Sequence, residues 1–262
     1  MRSMTDYEGV ILDVDGTIVR GSELIPGADD GLRTLQTVDC SKLLFSNNPT
    51  RGSVHYREKL EPHGFEVDPT SVLTSATVTA EYLSRTHSDE SVYLVGGDRL
   101  ASILTDAGLD LAAEPGDAEV VLGSFDDEFS YGTLWEALQA LEGNVPFYGT
   151  DPDTTIPVGD GTIPGSGAIL AAMEAVAGRD VDAILGKPSK IAADAAKKRL
   201  EAAPSDTLVV GDRLDTDVAL GNRAGMTTAV VLTGVTDRSD LDDAAVEPDH
   251  VLESLGDLES IL

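Results

Sequence analysis

Short apolar runs, each followed at once by acids, amides or a glycine turn, alternate along this chain with segments of helical period. Val10-Ile11-Leu12 runs into Asp13 and Asp15, with Gly16 and Thr17 behind them. The run KLLF ends in Ser46, Asn47 and Asn48, and TLVV ends in Gly211 and Asp212, with Asp215 and Asp217 just beyond. Apolar runs of four or five residues bounded by Gly and Asp suit strands buried on both faces, as in a parallel sheet covered by helices. Helices are expected over 27–38, 52–62 and 214–224, and strands over 8–12, 42–46, 208–210 and 228–232. Alternating strand and helix implies an α/β fold with a parallel sheet and right-handed crossovers.

The middle of the chain has its own cycle. Strands are expected over 92–95, 120–122 and 146–148, and helices over 76–85, 99–106, 131–141 and 165–177. This block suits a second α/β unit inserted into the first, an arrangement that periodicity alone leaves open.

In open α/β sheets ligands bind beyond the carboxyl ends of the strands. The polar residues of this chain fall there: Asp13, Asp15, Ser46, Asn47, Lys187 in Gly186-Lys187-Pro188-Ser189, Asp212 and Asp217. Carboxylates, amides, a hydroxyl and one ammonium suit a magnesium ion and a phosphate, because Mg2+ prefers oxygen ligands and keeps water and substrate phosphate in its shell. Two acids one residue apart would point to opposite faces within a strand. Past the strand end, where the chain turns at Gly16, both can face one ligand. Rival motifs fail. An EF-hand with its glycine at Gly16 would begin at Ile11 and end at Ser22, lacking both end acids. A P-loop ending at Lys187 would need glycine where Val181 stands.

Composition excludes other classes. The 262 residues carry 30 Asp and 17 Glu against 6 Lys, for a net charge of -29. No basic stripe exists to meet a nucleic acid. Acids spread along the chain with scarce lysine fit a protein kept soluble in concentrated salt, where self-repulsion is screened. No apolar stretch reaches the ~18 residues of a membrane span, and MRSMTDYEG lacks the apolar middle of a signal peptide, so a cytoplasmic protein is expected. Cys40 is the one cysteine, which excludes an internal disulfide and fits an inert packing residue. His55, His63, His87 and His250 have no metal-ligand spacing. Tyr131 and Trp135 are expected in the core of the inserted unit.

Asp13-Val14-Asp15-Gly16-Thr17 resembles the first motif, DxDGT, of the haloacid dehalogenase superfamily. Ser46, Lys187 and Gly211-Asp212 with Asp217 resemble its second, third and fourth motifs. SNNPTR (46–51), GKPS (186–189), GDRLDTD (211–217), DDEFSYGTL (126–134), DPDTTIP (151–157) and PGSGAI (164–169) are similar to the NagD-like, 4-nitrophenylphosphatase subgroup. The resemblance spans nearly the whole chain and implies a Rossmann-like parallel-sheet core of 1–74 plus 182–262 with an inserted α/β cap of 75–181.

It implies a Mg2+-dependent phosphomonoesterase acting on small-molecule phosphate monoesters, with no membrane partner. Asp13 is implied as nucleophile and Asp15 as acid and base. Asp13, the backbone carbonyl of Asp15, and Asp212 are implied as Mg2+ ligands. Ser46, Asn47 and Lys187 would grip the phosphoryl group, and Asp217 would support the metal surroundings or Lys187. Asp151-Pro152-Asp153 departs from the family's Asn-Pro-Asp. As a substrate loop, its two carboxylates would favour hydroxyl-bearing monophosphates over more anionic ones; as a turn, they would cap locally or face solvent. A phosphotransferase or mutase on the same fold, or a silent phosphometabolite-binding regulator, stays open as an alternative. A homodimer is compatible with the sequence.

Overall fold

The computed structural model describes residues 7–158 and 161–262. Residues 1–6, on which the leaderless reading of the N-terminus largely rests, lie outside them. Along the chain run β1 (Gly9–Leu12), β2 (Val19–Arg20), β3 (Glu23–Leu24), α1 (Ala28–Thr37), β4 (Ser41–Ser46), α2 (Ser53–Leu60), β5 (Val72–Thr74) and α3 (Ser75–Thr86). Then follow β6 (Val92–Val95), α4 (Asp98–Asp106), β7 (Val120–Gly123), α5 (Tyr131–Ala140), β8 (Phe147–Gly149), β9 (Thr155–Val158), β10 (Gly161–Pro164), α6 (Ser166–Ala177) and β11 (Ala183–Ile184). The chain ends with α7 (Lys190–Leu200), β12 (Thr207–Gly211), α8 (Ala219–Ala224), β13 (Thr227–Val231) and β14 (His250–Leu252).

The chain divides into two compact units. The first holds the described residues of 1–46, with 53–73 and 192–262, around a sheet in the order β14-β13-β12-β1-β4-β5. Strand β1 lies between β12 and β4 and is parallel to both, Leu12 facing Val210 on one side and Leu44 on the other. All four β1 residues are buried, which is why its sequence is an unbroken apolar run. The chain builds outward from β1 through β4, then resumes on its other side at β12. That makes β1 the place where strand order reverses, where α/β sheets bind ligands. Helix α1 shows how the sequence closes one face. Ala28, Gly31, Leu32 and Leu35 recur at i, i+3, i+4 and i+7, and all four are buried.

The second unit holds residues 47–52 and 74–191, around a parallel sheet in the order β11-β8-β7-β6. Alternation along β7 splits its core. Val120 and Leu122 pack with α3 and α4 residues Ala80, Leu83, Leu100 and Leu104. Val121 faces the other way, onto Ala137, Phe147, Leu170 and Met173. Because β11 pairs with β8, this sheet extends to Ile184, slightly past the division drawn at 181 from the sequence.

Tyr131 and Trp135 do not enter that core. They are 87% and 62% exposed. The inward stripe of α5 is Leu134, Ala137 and Leu141, which puts 131, 135 and 138 on the other face of the helix. Cys40 is half-buried against the first core, and burial pushes its thiol up from the ordinary value. No helix among the described residues is long and apolar enough to cross a membrane.

Candidate active site

At the end of β1 the chain stays hydrogen-bonded for one more residue, Asp13 N–H donating to Val210 at 2.8 Å, and then turns. Gly16 makes that turn at φ 99°, a conformation side-chain-bearing residues avoid. A Cβ there would collide with the Asp212 carboxylate, and a Cβ at Gly234 would do the same. Two backbone segments therefore press directly against this acid. Val235 N–H donates to Asp212 Oδ2 at 2.7 Å, and Thr233 Oγ1 donates to the Gly16 carbonyl at 2.8 Å.

Asp13, Asp212 and Asp217 each bring one carboxylate oxygen within 4.8 Å of the others. All three are buried, at 7%, 2% and 2% exposure. Three buried like charges repel strongly in a medium of low dielectric. An all-oxygen set of this kind is the donor chemistry of a hard divalent cation. Asp217 reaches the group through the turn that follows β12. The sequence suggested one helix over 214–224; instead residues Leu214–Val218 form a wider turn in which Val218 N–H donates to the carbonyl of Arg213, five residues back. Such wide turns cluster at functional sites. Arg213 N–H in turn donates to Asp217 Oδ2 at 3.2 Å. Asp217 thus stands among the carboxylates. Asp215 points out and pairs with Arg213 at 3.1 Å, as a solvated acid should.

Asp15 is not in that group. Its carboxylate accepts from Lys59 Nζ at 2.7 Å on Oδ1, and from Ser46 Oγ at 3.3 Å and the Tyr56 hydroxyl at 3.2 Å on Oδ2. The Tyr56 hydroxyl also lies 2.8 Å from Ser46 Oγ, and its single proton serves one of these two contacts at a time. Tyr56 is fully buried, and burial, followed by the Asp15 charge, holds its phenol well above the ordinary value. The nucleophile candidate Asp13 accepts from Thr17 Oγ1 at 3.3 Å on Oδ2.

In the second unit, Asn47 and Lys187 are tied together across 140 residues of sequence. Asn47 Nδ2 donates to the Lys187 carbonyl at 3.1 Å, and Lys187 N–H donates to Asn47 Oδ1 at 2.9 Å. The Lys187 side chain is 2% exposed, so it is no surface lysine. Asp151 is equally buried. It accepts from Ser166 Oγ at 2.7 Å and Thr150 Oγ1 at 2.9 Å on Oδ2, and from Asp153 N–H at 3.3 Å on Oδ1. Burial first, then the Asp153 charge, pushes its carboxyl up to about 7, against the pull of those hydrogen bonds. The loop rests on the start of α6, with Gly167 N–H donating to the Asp153 carbonyl at 2.9 Å. A Cβ at Gly167 would strike the Pro152 carbonyl, which explains why PGSGAI accompanies DPDTTIP. Asp151 therefore caps its own turn.

Tyr56, Lys59, Thr233, Gly234 and Val235 were missed in the sequence. Thr233 and Gly234 follow β13, where the strand-end rule would have found them. Tyr56 and Lys59 stand three apart on α2, one face of one turn.

Fold and site define an α/β protein with buried aspartates gathered at the carboxyl ends of neighbouring central parallel strands. Residues 10–110 match the family described as haloacid dehalogenase-like hydrolase, and residues 184–258 match HAD-hydrolase-like. The acid sugar phosphatase of Staphylococcus epidermidis is 34% identical over 252 residues, 96% of each chain. The sugar-phosphatase AraL of Bacillus subtilis is 30% identical over 98% of this chain and 96% of its own. Among solved structures, the p-nitrophenyl phosphatase from Archaeoglobus fulgidus matches with TM-score 0.91 and 33% identity, covering 98% of this chain and 100% of that one. NagD from E. coli K-12 matches with TM-score 0.84 and 28% identity over 95% and 97%. The chain belongs to the haloacid dehalogenase-like hydrolases, in their NagD-like branch, and is a phosphoric monoester hydrolase.

Proposed function

We propose that this is a cytoplasmic, Mg2+-dependent phosphatase of small sugar phosphates that works through an aspartyl-phosphate on Asp13. The observation that carries the proposal is the buried group of Asp13, Asp212 and Asp217 at the ends of β1 and β12. The group fits the ion: three carboxylates whose mutual repulsion a divalent cation offsets, held in place by glycines that leave no room for a Cβ. Asp13, Asp212 and Asp217, with the backbone carbonyl of Asp15, would hold Mg2+, which would supply positive charge to offset the negative charge of a phosphoryl group.

The residues then divide the work. Asp13 attacks phosphorus, forming an O–P bond as the ester O–P bond breaks. Asp15 gives a proton to the departing alkoxide. It then takes one from the water that attacks the phosphoenzyme, releasing inorganic phosphate and restoring Asp13. Ser46, Asn47 and Lys187 hold the phosphoryl oxygens, a role supported by motif order and by the bonds that lock Asn47 to Lys187. The inserted unit, 75–181, sets substrate choice. Asp151, Pro152 and Asp153 contribute as a loop kept rigid by Ser166 and α6.

Sugar phosphates are favoured because the named activity of two relatives is on them. The test is phosphate release from a panel of sugar phosphates, nucleotides and phosphorylated acids, in molar KCl with Mg2+. Release led by sugar phosphates supports the reading. Release led by another class changes the substrate, and transfer to an acceptor without net release overturns the hydrolase.

A further inference from the structure

The acid–base aspartate must present one oxygen to the leaving group in a fixed direction, since proton transfer in the transition state depends on hydrogen-bond geometry. Asp15 stands beyond β1 on a turn, where the backbone alone does little to fix its side chain. Its two oxygens are held very differently. Oδ1 takes the charge-assisted bond from Lys59 Nζ at 2.7 Å. Oδ2 faces two longer contacts from neutral donors, Ser46 Oγ at 3.3 Å and the Tyr56 hydroxyl at 3.2 Å. A bond in which both partners are charged, at 2.7 Å, holds an oxygen more firmly than one from a neutral hydroxyl beyond about 3 Å. One oxygen is therefore anchored, and the other is held by hydroxyls that can exchange.

The anchor is itself supported. The Lys59 side chain is only 14% exposed, and its Nζ lies 5.6 Å from the centre of the Tyr56 ring. That ring is buried within the first unit's core. Tyr56 has a single hydroxyl proton, and the shorter of its two contacts is to Ser46 at 2.8 Å. Tyr56 donating to Ser46, and Ser46 to Asp15, is a chain in which each proton is used once.

We infer that Lys59 and Tyr56 are positioning residues for Asp15: Lys59 pins Oδ1, and the Tyr56–Ser46 pair aims Oδ2 as the oxygen that exchanges protons with the leaving group and with water. Ser46 can then turn to the phosphoryl group when substrate arrives, while Lys59 keeps the carboxyl in direction. This rests on reading Asp15 as the acid–base residue.

A structural role and a positioning role part company in kinetics. An ion pair that served only stability would lower the melting temperature when lost, without discriminating between leaving groups. Loss of the clamp does, because 4-nitrophenolate departs with little proton help and a sugar alkoxide needs it. The experiment compares wild type, Asp15→Asn, Lys59→Met, Lys59→Arg and Tyr56→Phe on 4-nitrophenyl phosphate and a sugar phosphate, with melting temperatures alongside. Lys59→Met is expected to lose kcat about 10-fold or more on the sugar phosphate, part of the ~10²–10⁴ that general acid–base catalysis provides. Its loss on 4-nitrophenyl phosphate should be several times smaller, with little change in KM. Tyr56→Phe keeps the packed ring and should show the same bias, more weakly. Lys59→Arg should recover part of the loss. If Asp15→Asn is selective for leaving group and Lys59→Met is not, the clamp is wrong and the Asp15 reading stands. If Asp15→Asn shows no selectivity, the role of Asp15 falls and the clamp falls with it.

Discussion

The Ser166 hydroxyl donates to the buried Asp151 carboxyl at 2.7 Å, on the loop whose family pattern has asparagine at this position. Burial and the Asp153 charge push that carboxyl up to about 7, against ~3.9 for an unfolded aspartate. Between these values the folded chain binds the extra proton, so stability falls as pH rises through the window. Asp151→Asn removes the ionising group and keeps an acceptor for Ser166 and Thr150. The variant is expected to melt higher than wild type at pH 8.5, with the gap closing toward pH 4. A gap that does not change with pH would contradict the assignment.

Mg2+ should stabilise the protein through the aspartate group, since a ligand bound only by the folded state adds ~2.7 kcal/mol at a hundred times its dissociation constant. Melting temperature should rise with Mg2+ in wild type. It should respond much less in Asp212→Asn and Asp217→Asn. Asp215→Asn, which alters only the exposed pair with Arg213, should behave as wild type. An undiminished Mg2+ response in Asp217→Asn would return that residue to a supporting role.

Gly234 has no room for a methyl group beside Asp212. Overpacking of this kind typically costs ~1–3 kcal/mol. Here the shift falls on a carboxylate of the site. Gly234→Ala should keep its fold by circular dichroism while losing most phosphatase activity and most of its Mg2+-induced stabilisation. A variant with wild-type activity would show that Asp212 need not be held where it is.

With a net charge of -29, folding in dilute buffer works against self-repulsion. We propose a protein adapted to concentrated salt, and expect the melting temperature to rise from dilute buffer into molar KCl. A flat or falling profile would remove the salt adaptation without touching the chemistry.

Much of this molecule was legible because its core strands are buried on both faces. The short run around Ile11, ended by a glycine turn, suits a buried strand, and the acids that follow it stand out against the apolar background. Exposed elements were harder to see. Strands β9 and β10 are exposed along most of their length and contain Pro157 and Pro164, so no apolar alternation marks them. On α5 the aromatic residues looked like core, but burial follows Leu134, Ala137 and Leu141, and helix phase cannot be settled from large side chains alone. At the site, the aspartates and Lys187 were visible through motifs. Lys59 and Tyr56 were not, because their role comes from a helix turning its face toward Asp15, which no spacing rule between positions 15 and 59 records.

The central claim is that Asp13 carries the phosphoryl group. Wild type mixed with substrate, quenched in acid within a turnover and reduced with borohydride should yield homoserine at position 13, since reduction converts an acyl phosphate to the alcohol. Peptide mass spectrometry reads the position directly. The expected result is homoserine at 13 in wild type, with Asp13→Asn folded, inactive and unmodified. Homoserine at another aspartate, or Asp13→Asn retaining most of wild-type kcat, would contradict the account.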